Sequence, residues 1–286
     1  MGVVRIDAID DERLSAFRSV PDPDLLTQLG FFIAEGRLVV RRLLAHSRLE
    51  TRALLVTEPA LASIGDLVAG RPALPAFVVT QEVMNGVAGF NFHRGCLAIG
   101  VRPPARHWRE VADAARRIVV LERVGNADNV GAIFRNASAF GAGGVLLQSD
   151  CADPLYRKSI RTSMAASLSM PFAAAEPWPA VLDALRGAGW TTVAMTPAAD
   201  ASLRAAAQRL GDSRIAIVLG HEGEGLTPEA MAACTHRARI PMAGGIDSVN
   251  VATAAAIALY ETGSGVIFRG GCRRKMTPGP FTTPPG

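Results

Sequence analysis

Residues 215–226 of the chain read IAIVLGHEGEGL. The first five form a short apolar run rich in β-branched residues, which predicts a strand buried on both faces. Three glycines follow within six residues, and such a loop leaves backbone N–H and C=O groups uncovered. Glu222 and Glu224 argue against a phosphate cradle, because carboxylates repel phosphate. The stretch therefore predicts a strand buried on both faces, and the loop after it fits either a site for a cationic or hydrogen-bond-donating ligand or a tight loop with surface acids.

Similar apolar runs recur through the second half of the chain, and helical patterns separate them. Strands buried on both faces that alternate with helices predict an α/β fold with a parallel sheet wrapped by helices. Ligands of such sheets bind beyond the carboxyl ends of the strands. The predicted strands lie at 118–121, 144–147, 191–195, 215–219 and 238–240, and the helices at 130–140, 154–168, 179–187, 202–210 and 249–262.

The first hundred residues form a smaller α/β pattern of their own. A helix is predicted over 31–47, and strands over 53–57, 77–80 and 96–101. Pro103 and Pro104 then interrupt any regular element, which marks a linker. The predicted organisation is a substrate-binding domain at 1–101, a linker at 102–112, a larger domain at 113–268 and a mobile tail at 269–286.

Composition excludes several classes of protein. With 286 residues, 49% of them hydrophobic and 20% charged, the chain has enough apolar material for a core and is not a disordered protein. The four cysteines form no C-x-x-C pair, so no metal site is predicted and a reducing, cytoplasmic setting is expected. No apolar stretch approaches the ~20 residues of a membrane helix, and the first residues lack the apolar core of a secretion signal.

The basic residues are almost all arginine. The net charge is +4, and of 30 basic residues only Lys158 and Lys275 are lysine, which leaves 28 arginines. Arginine binds phosphate bidentately, but codon usage in a GC-rich genome gives the same bias. Charge alone therefore leaves a polyanionic partner open.

Two further junctions between loop and helix carry polar residues. Residues 126–141, NADNVGAIFRNASAFG, place Asp128 or Asn129 as a helix cap, with Arg135 further along the helix. Residues 240–258, IPMAGGIDSVNVATAAAIA, place Ser248 as the cap of an alanine-rich helix. Taken singly, each junction also fits a capped core helix, and His221 in the glycine-rich loop fits a local hydrogen-bonding residue better than a general base.

In order and spacing, the three junctions resemble the three motifs of the SpoU (TrmH) family of RNA ribose 2′-O-methyltransferases, of the SPOUT class. The first motif corresponds to 129–141, the second to 217–226 and the third to 240–254. Residues 155–171, LYRKSIRTSMAASLSMP, resemble the family's intermediate segment, with Ala165 where glycine is usual. The first domain is similar to the ribosomal-protein-like domain often fused to these enzymes.

The resemblance implies a C-terminal trefoil knot that binds S-adenosylmethionine in a bent form, largely through backbone groups of three loops. The cofactor contacts that it implies are Gly220, Ile240, Val249, Thr196, Leu219 and Met242. The catalytic positions that it implies are Arg135, Asn129, Glu222, Ser248 and Asn250. Arg135 is expected to bind a phosphate beside the target ribose, since guanidinium is a poor proton acceptor. Glu222 is expected to hold its loop, Ser248 to cap the last helix, and Asn129 and Asn250 to position the substrate.

The resemblance also implies partners. RNA is expected along Arg157, Lys158, Arg161 and Arg41, although each of these also fits a solvated helix face. A homodimer is expected, with neither membrane nor DNA as a partner. The predicted reaction is methylation of a ribose 2′-hydroxyl in structured, ribosomal RNA. The alternatives are a transfer-RNA methyltransferase and an RNA-binding module on the same fold that has lost turnover.

Overall fold

The computed structural model describes residues 2–18, 21–89, 91–244 and 247–263. In this part of the chain the strands form two sheets, one in each predicted domain. The predicted α/β class, with a larger parallel sheet and a smaller first domain, is confirmed. The threading of the trefoil knot stays a prediction. The predicted mobile tail, 269–286, lies outside the described residues.

The first unit contains a mixed five-stranded sheet in the order β1-β4-β3-β5-β2. β1, β3 and β4 run parallel to one another, and β5 pairs antiparallel with β3 and β2. Its strands are β1 (Val3–Arg5), β2 (Phe31–Glu35), β3 (Thr51–Val56), β4 (Ala76–Val78) and β5 (Cys96–Val101). Its helices are a 3-10 turn at Glu12–Phe17, then α1 (Asp22–Gln28), α2 (Arg37–His46), α3 (Glu58–Ala69) and α4 (Gln81–Ala88).

The prediction of a single helix over 31–47 is wrong in its first third. Phe31–Glu35 is a strand, paired with β5 from Phe31 opposite Val101 to Glu35 opposite Leu97. Gly36 then takes φ +92°, a left-handed conformation that ends the strand and starts α2. The apolar run FFIA suits a helix and a strand equally, and only its pairing partner decides between them.

The second unit contains a six-stranded sheet in the order β11-β9-β10-β6-β7-β8, and all of its pairs are parallel. Its strands are β6 (Arg117–Leu121), β7 (Gly144–Leu147), β8 (Phe172–Ala174), β9 (Trp190–Met195), β10 (Arg214–Leu219) and β11 (His236–Ala238). Its helices are α5 (Trp108–Asp113), α6 (Ala127–Ala139), α7 (Arg157–Thr162), a 3-10 turn at Ala166–Leu168, α8 (Ala180–Gly187), α9 (Leu203–Leu210), α10 (Pro228–Ala233) and α11 (Val251–Glu261).

Strand β10 lies inside the sheet and is buried on both faces, as the sequence predicts. Ile215, Ile217 and Leu219 belong to the core under α6, α9 and α11. Ala216 and Val218 alternate with them and belong to the opposite core, under α5, α8 and α10. Both faces of this strand are thereby removed from water.

Two sequence boundaries are corrected by the structure. The helix predicted over 154–168 is broken into α7 and a 3-10 turn, because Met164 and Ala165 both take positive φ, +51° and +66°. Position 165 thus needs a conformation that glycine adopts at little cost. The linker is shorter than the predicted range 102–112, because α5 already begins at Trp108, after a capping box formed by His107 and Glu110.

The two units share a core. Leu155, Ile160 and Leu168 of the second unit pack in one apolar cluster with residues of α2, β3 and β5. Ion pairs surround this contact, from Arg157 to Asp22 at 2.9 Å and from Arg102 to Asp153 at 2.7 Å. The units are therefore packed as one body in this structure, rather than tethered by the linker alone.

We expect the whole chain to unfold in a single thermal transition, because neither unit keeps a complete core when the other unfolds. Calorimetry should give equal calorimetric and van't Hoff enthalpies. Ile160→Ala, at a fully buried position of the shared core, should lower the free energy of unfolding by about 2–5 kcal/mol and move the whole transition. Two transitions, of which only one moves, would contradict the shared core.

Candidate cofactor cleft and polar pocket

A cleft of about 460 Å³ lies at the carboxyl ends of β9, β10 and β11. Three loops form it: the segment after β9, the glycine-rich loop after β10, and the segment between β11 and α11. This is the edge at which ligands of parallel sheets bind. All six residues predicted to contact the cofactor line this cleft, namely Thr196, Leu219, Gly220, Ile240, Met242 and Val249.

Gly220 lies where the glycine-rich loop closes on itself. A Cβ at this position would come within 2.4 Å of the Gly225 carbonyl and 2.5 Å of the Leu226 nitrogen. Both contacts are with backbone, which cannot move aside as a flexible side chain would. The loop geometry therefore excludes every side chain at position 220.

His221 holds the same loop together. Its backbone exchanges hydrogen bonds with Gly225, and its Nδ1 accepts from the backbone N–H groups of Gly223 and Glu224 at 3.0 and 3.1 Å. The prediction of a local hydrogen-bonding role for His221 is confirmed. An Nδ1 that already accepts two hydrogen bonds is poorly placed to act as a general base.

Three of the predicted catalytic side chains meet in an open polar pocket beside the cleft. Asn129 donates from Nδ2 to Glu222 Oε1 at 2.7 Å and accepts from Asn250 Nδ2 at 2.8 Å. These two bonds connect the helix α6, the glycine-rich loop and the start of α11. His221 and Glu222 line both the pocket and the cleft, so the two adjoin at these residues.

The helix caps differ from the predicted ones. Asn126, rather than Asp128 or Asn129, caps α6 by accepting from the Asp128 N–H at 2.8 Å. Asn250, rather than Ser248, caps α11, since its Oδ1 accepts from the N–H groups of Ala252 and Thr253. Ser248 is exposed and lines the cofactor cleft. Gly245 of the predicted turn lies outside the described residues.

Arg135 is the one predicted catalytic residue that lines neither the cleft nor the polar pocket, as far as the described residues show. It lies six residues beyond Asn129 on α6, and its side chain is exposed. No hydrogen bond or ion pair joins its guanidinium to another described residue. Its five N–H donors are therefore open to a ligand from outside the chain.

The four cations predicted to bind RNA are each paired with a carboxylate of the same chain. Arg157 pairs with Asp22 and Arg161 with Glu35, both across the contact between the units. The other two pairs are Lys158 with Asp128 and Arg41 with Asp66, at 2.8 and 2.7 Å. Their role towards RNA stays a prediction, and Lys158 alone lines the polar pocket.

Two of the paired carboxyl groups, those of Asp128 and Asp22, have pKa values shifted in opposite directions. The Lys158 ammonium, with the Thr162 hydroxyl, holds the pKa of the half-buried Asp128 below its ordinary value. Burial at the contact between the units raises the pKa of Asp22, although the Arg157 backbone and guanidinium favour its ionised form. Asp128 is thus anionic at neutral pH beside the pocket, and it offsets the charge of Lys158.

Glu122 supports the glycine-rich loop from behind, and the sequence analysis missed it. Only 1% of this residue is exposed, and its carboxylate accepts from Trp178 Nε1, the Thr227 N–H and the Thr227 hydroxyl at 2.7–2.8 Å. Thr227 in turn caps α10, directly after the loop. An acidic residue immediately after the buried run IVVL was the available signal.

We expect Glu122→Ala to lower the free energy of unfolding by about 2–3 kcal/mol, because three partly buried donor groups lose their carboxylate acceptor. The loop should loosen, and ligand affinity of the cleft should fall with it. Urea denaturation measures the first effect and calorimetric titration the second. For the free energy of unfolding, the matched control is Glu224→Ala in the glycine-rich loop, since its pair with Arg123 is more exposed and should contribute little. Equal stability of the two variants would contradict a supporting role for Glu122.

Among the described residues, no group of three or more histidine, cysteine or acidic side chains is placed to hold a metal ion. The described helices also include none of the length and apolarity that crossing a bilayer requires.

The family model of the SpoU rRNA methylase family matches residues 116–260. This covers the six-stranded sheet, the cleft and the polar pocket. The chain belongs to the SpoU rRNA methylase family. The predicted resemblance is thereby confirmed, and it extends over half the chain.

Similarity to other proteins extends beyond the second unit to nearly the whole chain. A protein of Mycobacterium tuberculosis, named as an uncharacterized tRNA/rRNA methyltransferase, is 44% identical over 257 residues, or 88% of each chain. The 23S rRNA (guanosine-2'-O-)-methyltransferase RlmB of Xylella fastidiosa is 31% identical over 64% of this SpoU chain and 75% of its own.

Solved structures share the fold. The crystal structure of an RNA 2'-O ribose methyltransferase has a TM-score of 0.75 at 29% identity, and it covers 91% of this chain and 98% of its own. The AdoMet-bound rRNA methyltransferase of Sinorhizobium meliloti has a TM-score of 0.77 at 24% identity, with 91% and 97% covered. Both span the first unit as well as the second, so the two-unit arrangement is common to them.

Proposed function

We propose that this SpoU-family protein transfers the methyl group of S-adenosylmethionine to a ribose 2′-hydroxyl of structured RNA, in particular ribosomal RNA. The observation that carries the proposal is that the three-loop cleft and the polar pocket adjoin at His221 and Glu222. A small donor in the cleft and a polymer in the open pocket can meet there.

The cleft fits S-adenosylmethionine in shape and in chemistry. Its wall at Gly220 has no room for a Cβ, so a ligand there meets backbone. Glu222, Glu224 and Asp247 offer carboxylates to a ligand with an ammonium and a sulfonium, and Met195, Met231 and Ile240 offer apolar contacts. When bound, the cofactor supplies a methyl group activated by its positively charged sulfur.

The polar pocket is suited to holding a ribose. Glu222 Oε1 and Asn129 already bond to each other, while no described residue engages Glu222 Oε2. This oxygen can accept the hydrogen bond of a ribose hydroxyl and orient it. Because Asn250 and Asn129 fix the carboxylate, the hydroxyl is held with little loss of side-chain freedom.

Arg135 lies outside this pocket in its own subunit, and this supports a role for a second copy of the chain. It lines neither cavity of its own subunit, and its exposed guanidinium is unpaired among the described residues. We propose a homodimer in which Arg135 of one subunit binds the phosphate beside the ribose at the other subunit's pocket. The phosphate or a water molecule then accepts the hydroxyl proton, since the guanidinium cannot.

Ribosomal RNA is favoured by the likeness to RlmB, whose name gives 23S rRNA as its substrate. The first unit, packed rigidly on the second, also offers a second contact surface for a large folded RNA. The cytoplasm is the proposed location, where such RNA is found.

The test is methyl transfer from radiolabelled S-adenosylmethionine to ribosomal RNA and to transfer RNA, both taken from cells that lack this gene. We expect label in ribosomal RNA, released by digestion as a 2′-O-methylnucleoside and identified by mass spectrometry. Label on a base would contradict ribose chemistry, and label in transfer RNA alone would contradict the ribosomal substrate. No label in either RNA would leave the RNA-binding module as the function.

A further inference from the structure

A groove of about 260 Å³ lies where the two units meet. Its walls are the end of α2, residues 102–106 of the linker, and the segment 168–174 that includes β8, the outermost strand of its sheet. Four basic residues line it, His46, Arg48, Arg102 and Arg106, and no acidic residue does. We name this the junction groove. Neither the motifs nor the family match covers all of it.

The positive charge of the junction groove is available to a ligand. Arg102 is paired with Asp153, but Arg48 and Arg106 are exposed and form no ion pair with another described residue. The four cations predicted from sequence to bind RNA are, by contrast, all neutralised by carboxylates of the chain. Free cations gathered around one groove are the electrostatic signature of a polyanion site.

The groove is built from fixed parts. Ser47 Oγ donates to the Leu168 carbonyl at 3.0 Å and accepts from the Leu49 N–H, which ties the end of α2 to the second unit. Arg42 adds a further bond to the Met164 carbonyl. A ligand therefore meets a preformed site, and little ordering of the protein opposes binding.

Between the cations, the lining is apolar. Leu49, Pro103, Pro104, Met170 and Phe172 all contribute to it. Phe172 is held edge-to-face by Phe134, with ring centroids 5.9 Å apart. A surface of this kind can receive the flat face of a base, while the surrounding arginines bind phosphates.

We propose that the junction groove binds a single-stranded segment of the substrate RNA, with its phosphates at Arg48 and Arg106 and a base against the apolar lining. A groove of this volume admits a nucleotide and excludes a double helix. Unpaired nucleotides are also the parts of a folded RNA that proteins contact most specifically. This inference rests on the proposed function for the identity of the polyanion.

The experiment measures binding of fluorescein-labelled decauridylate RNA to the full chain by fluorescence anisotropy, between about 50 and 200 mM salt. In the double variant Arg48→Gln/Arg106→Gln we expect affinity to fall at least about 10-fold at low salt. The slope of log affinity against log salt should shrink by about 1.4, for two lost phosphate contacts on a single strand.

The control variant is Arg116→Gln/Arg209→Gln, which removes the same charge from exposed positions outside the groove. Its affinity and salt slope should match the parent protein. Equal slopes in the two double variants, or no binding by the parent, would overturn the inference. Inorganic polyphosphate should compete at least about 10-fold more weakly than the RNA at equal phosphate concentration, and equal competition would overturn the base contact.

The outcome is separable from that of the proposed function. Calorimetric binding of S-adenosylmethionine should be the same in the parent and in both double variants, because no groove residue lines the cofactor cleft. A parent that methylates RNA, together with an unchanged salt slope in the groove variant, would reject the groove alone. A parent that binds RNA but never methylates it would reject the enzyme and keep the groove.

Discussion

Gly220→Val is expected to weaken binding of S-adenosylmethionine by at least about 100-fold, which corresponds to about 2.7 kcal/mol. Even the Cβ of alanine would lie 2.4 Å from the Gly225 carbonyl, and valine adds two methyl groups at the same place. The loop must open to accept them, so the backbone wall of the cleft is lost. Calorimetric titration with the cofactor and with S-adenosylhomocysteine measures the effect.

Gly223→Ala is the matched control, three residues along the same loop. Its Cβ would meet nothing closer than the His221 ring at 3.5 Å, an ordinary contact, and its backbone has no left-handed φ. Binding by this variant should stay within a few-fold of the parent. If Gly220→Val, shown by circular dichroism to be folded, binds as well as Gly223→Ala, the cofactor lies elsewhere.

Arg135→Ala is expected to reduce methyl transfer to RNA by about 100-fold or more while it leaves cofactor binding intact. The side chain lies outside the cleft, so the cofactor loses no contact. The substrate phosphate loses its bidentate partner, and Arg135→Lys should recover only part of the rate. Labelled methyl transfer and calorimetric titration, made on the same preparation, separate the two effects. Loss of cofactor binding in this variant would contradict the assigned position.

Mixing the two inactive variants tests the dimeric site directly. If Arg135 acts on the pocket of its partner, a mixed dimer of Arg135→Ala and Gly220→Val contains one site with both an intact cleft and an intact arginine. Random exchange of subunits at equal concentrations should then restore about a quarter of the parent activity. If Arg135 acts within its own subunit, no site is complete and the mixture stays inactive.

Much of the second unit follows from local sequence. The run IAIVL predicts β10 correctly because it is short, rich in β-branched residues and followed at once by a glycine-rich loop, all of which favour a buried strand over a helix. The six cofactor contacts implied by the resemblance all reach one cleft, because they lie at the carboxyl ends of strands, where a parallel sheet brings distant loops together.

The errors arise where a residue's role depends on a distant partner. Phe31–Glu35 becomes a strand only through its pairing with β5, some 60–70 positions later in the chain. Asn250 takes the cap that Ser248 was expected to supply because its amide also bonds to Asn129. Glu122 acquires its function from Trp178 and Thr227, which no local pattern connects to it.

The two hydrogen bonds that join Asn129 to Glu222 and to Asn250 connect positions 93 and 121 residues apart. The side-chain amide of Asn250 accepts hydrogen bonds from α11 through its oxygen and donates one to Asn129 through its nitrogen. A flip of this amide would therefore break the hydrogen bonds to both partners. A replacement at any one of the three positions therefore takes a hydrogen-bond partner away from at least one of the other two residues. We therefore expect these three positions to change together, or to stay as they are, in related sequences.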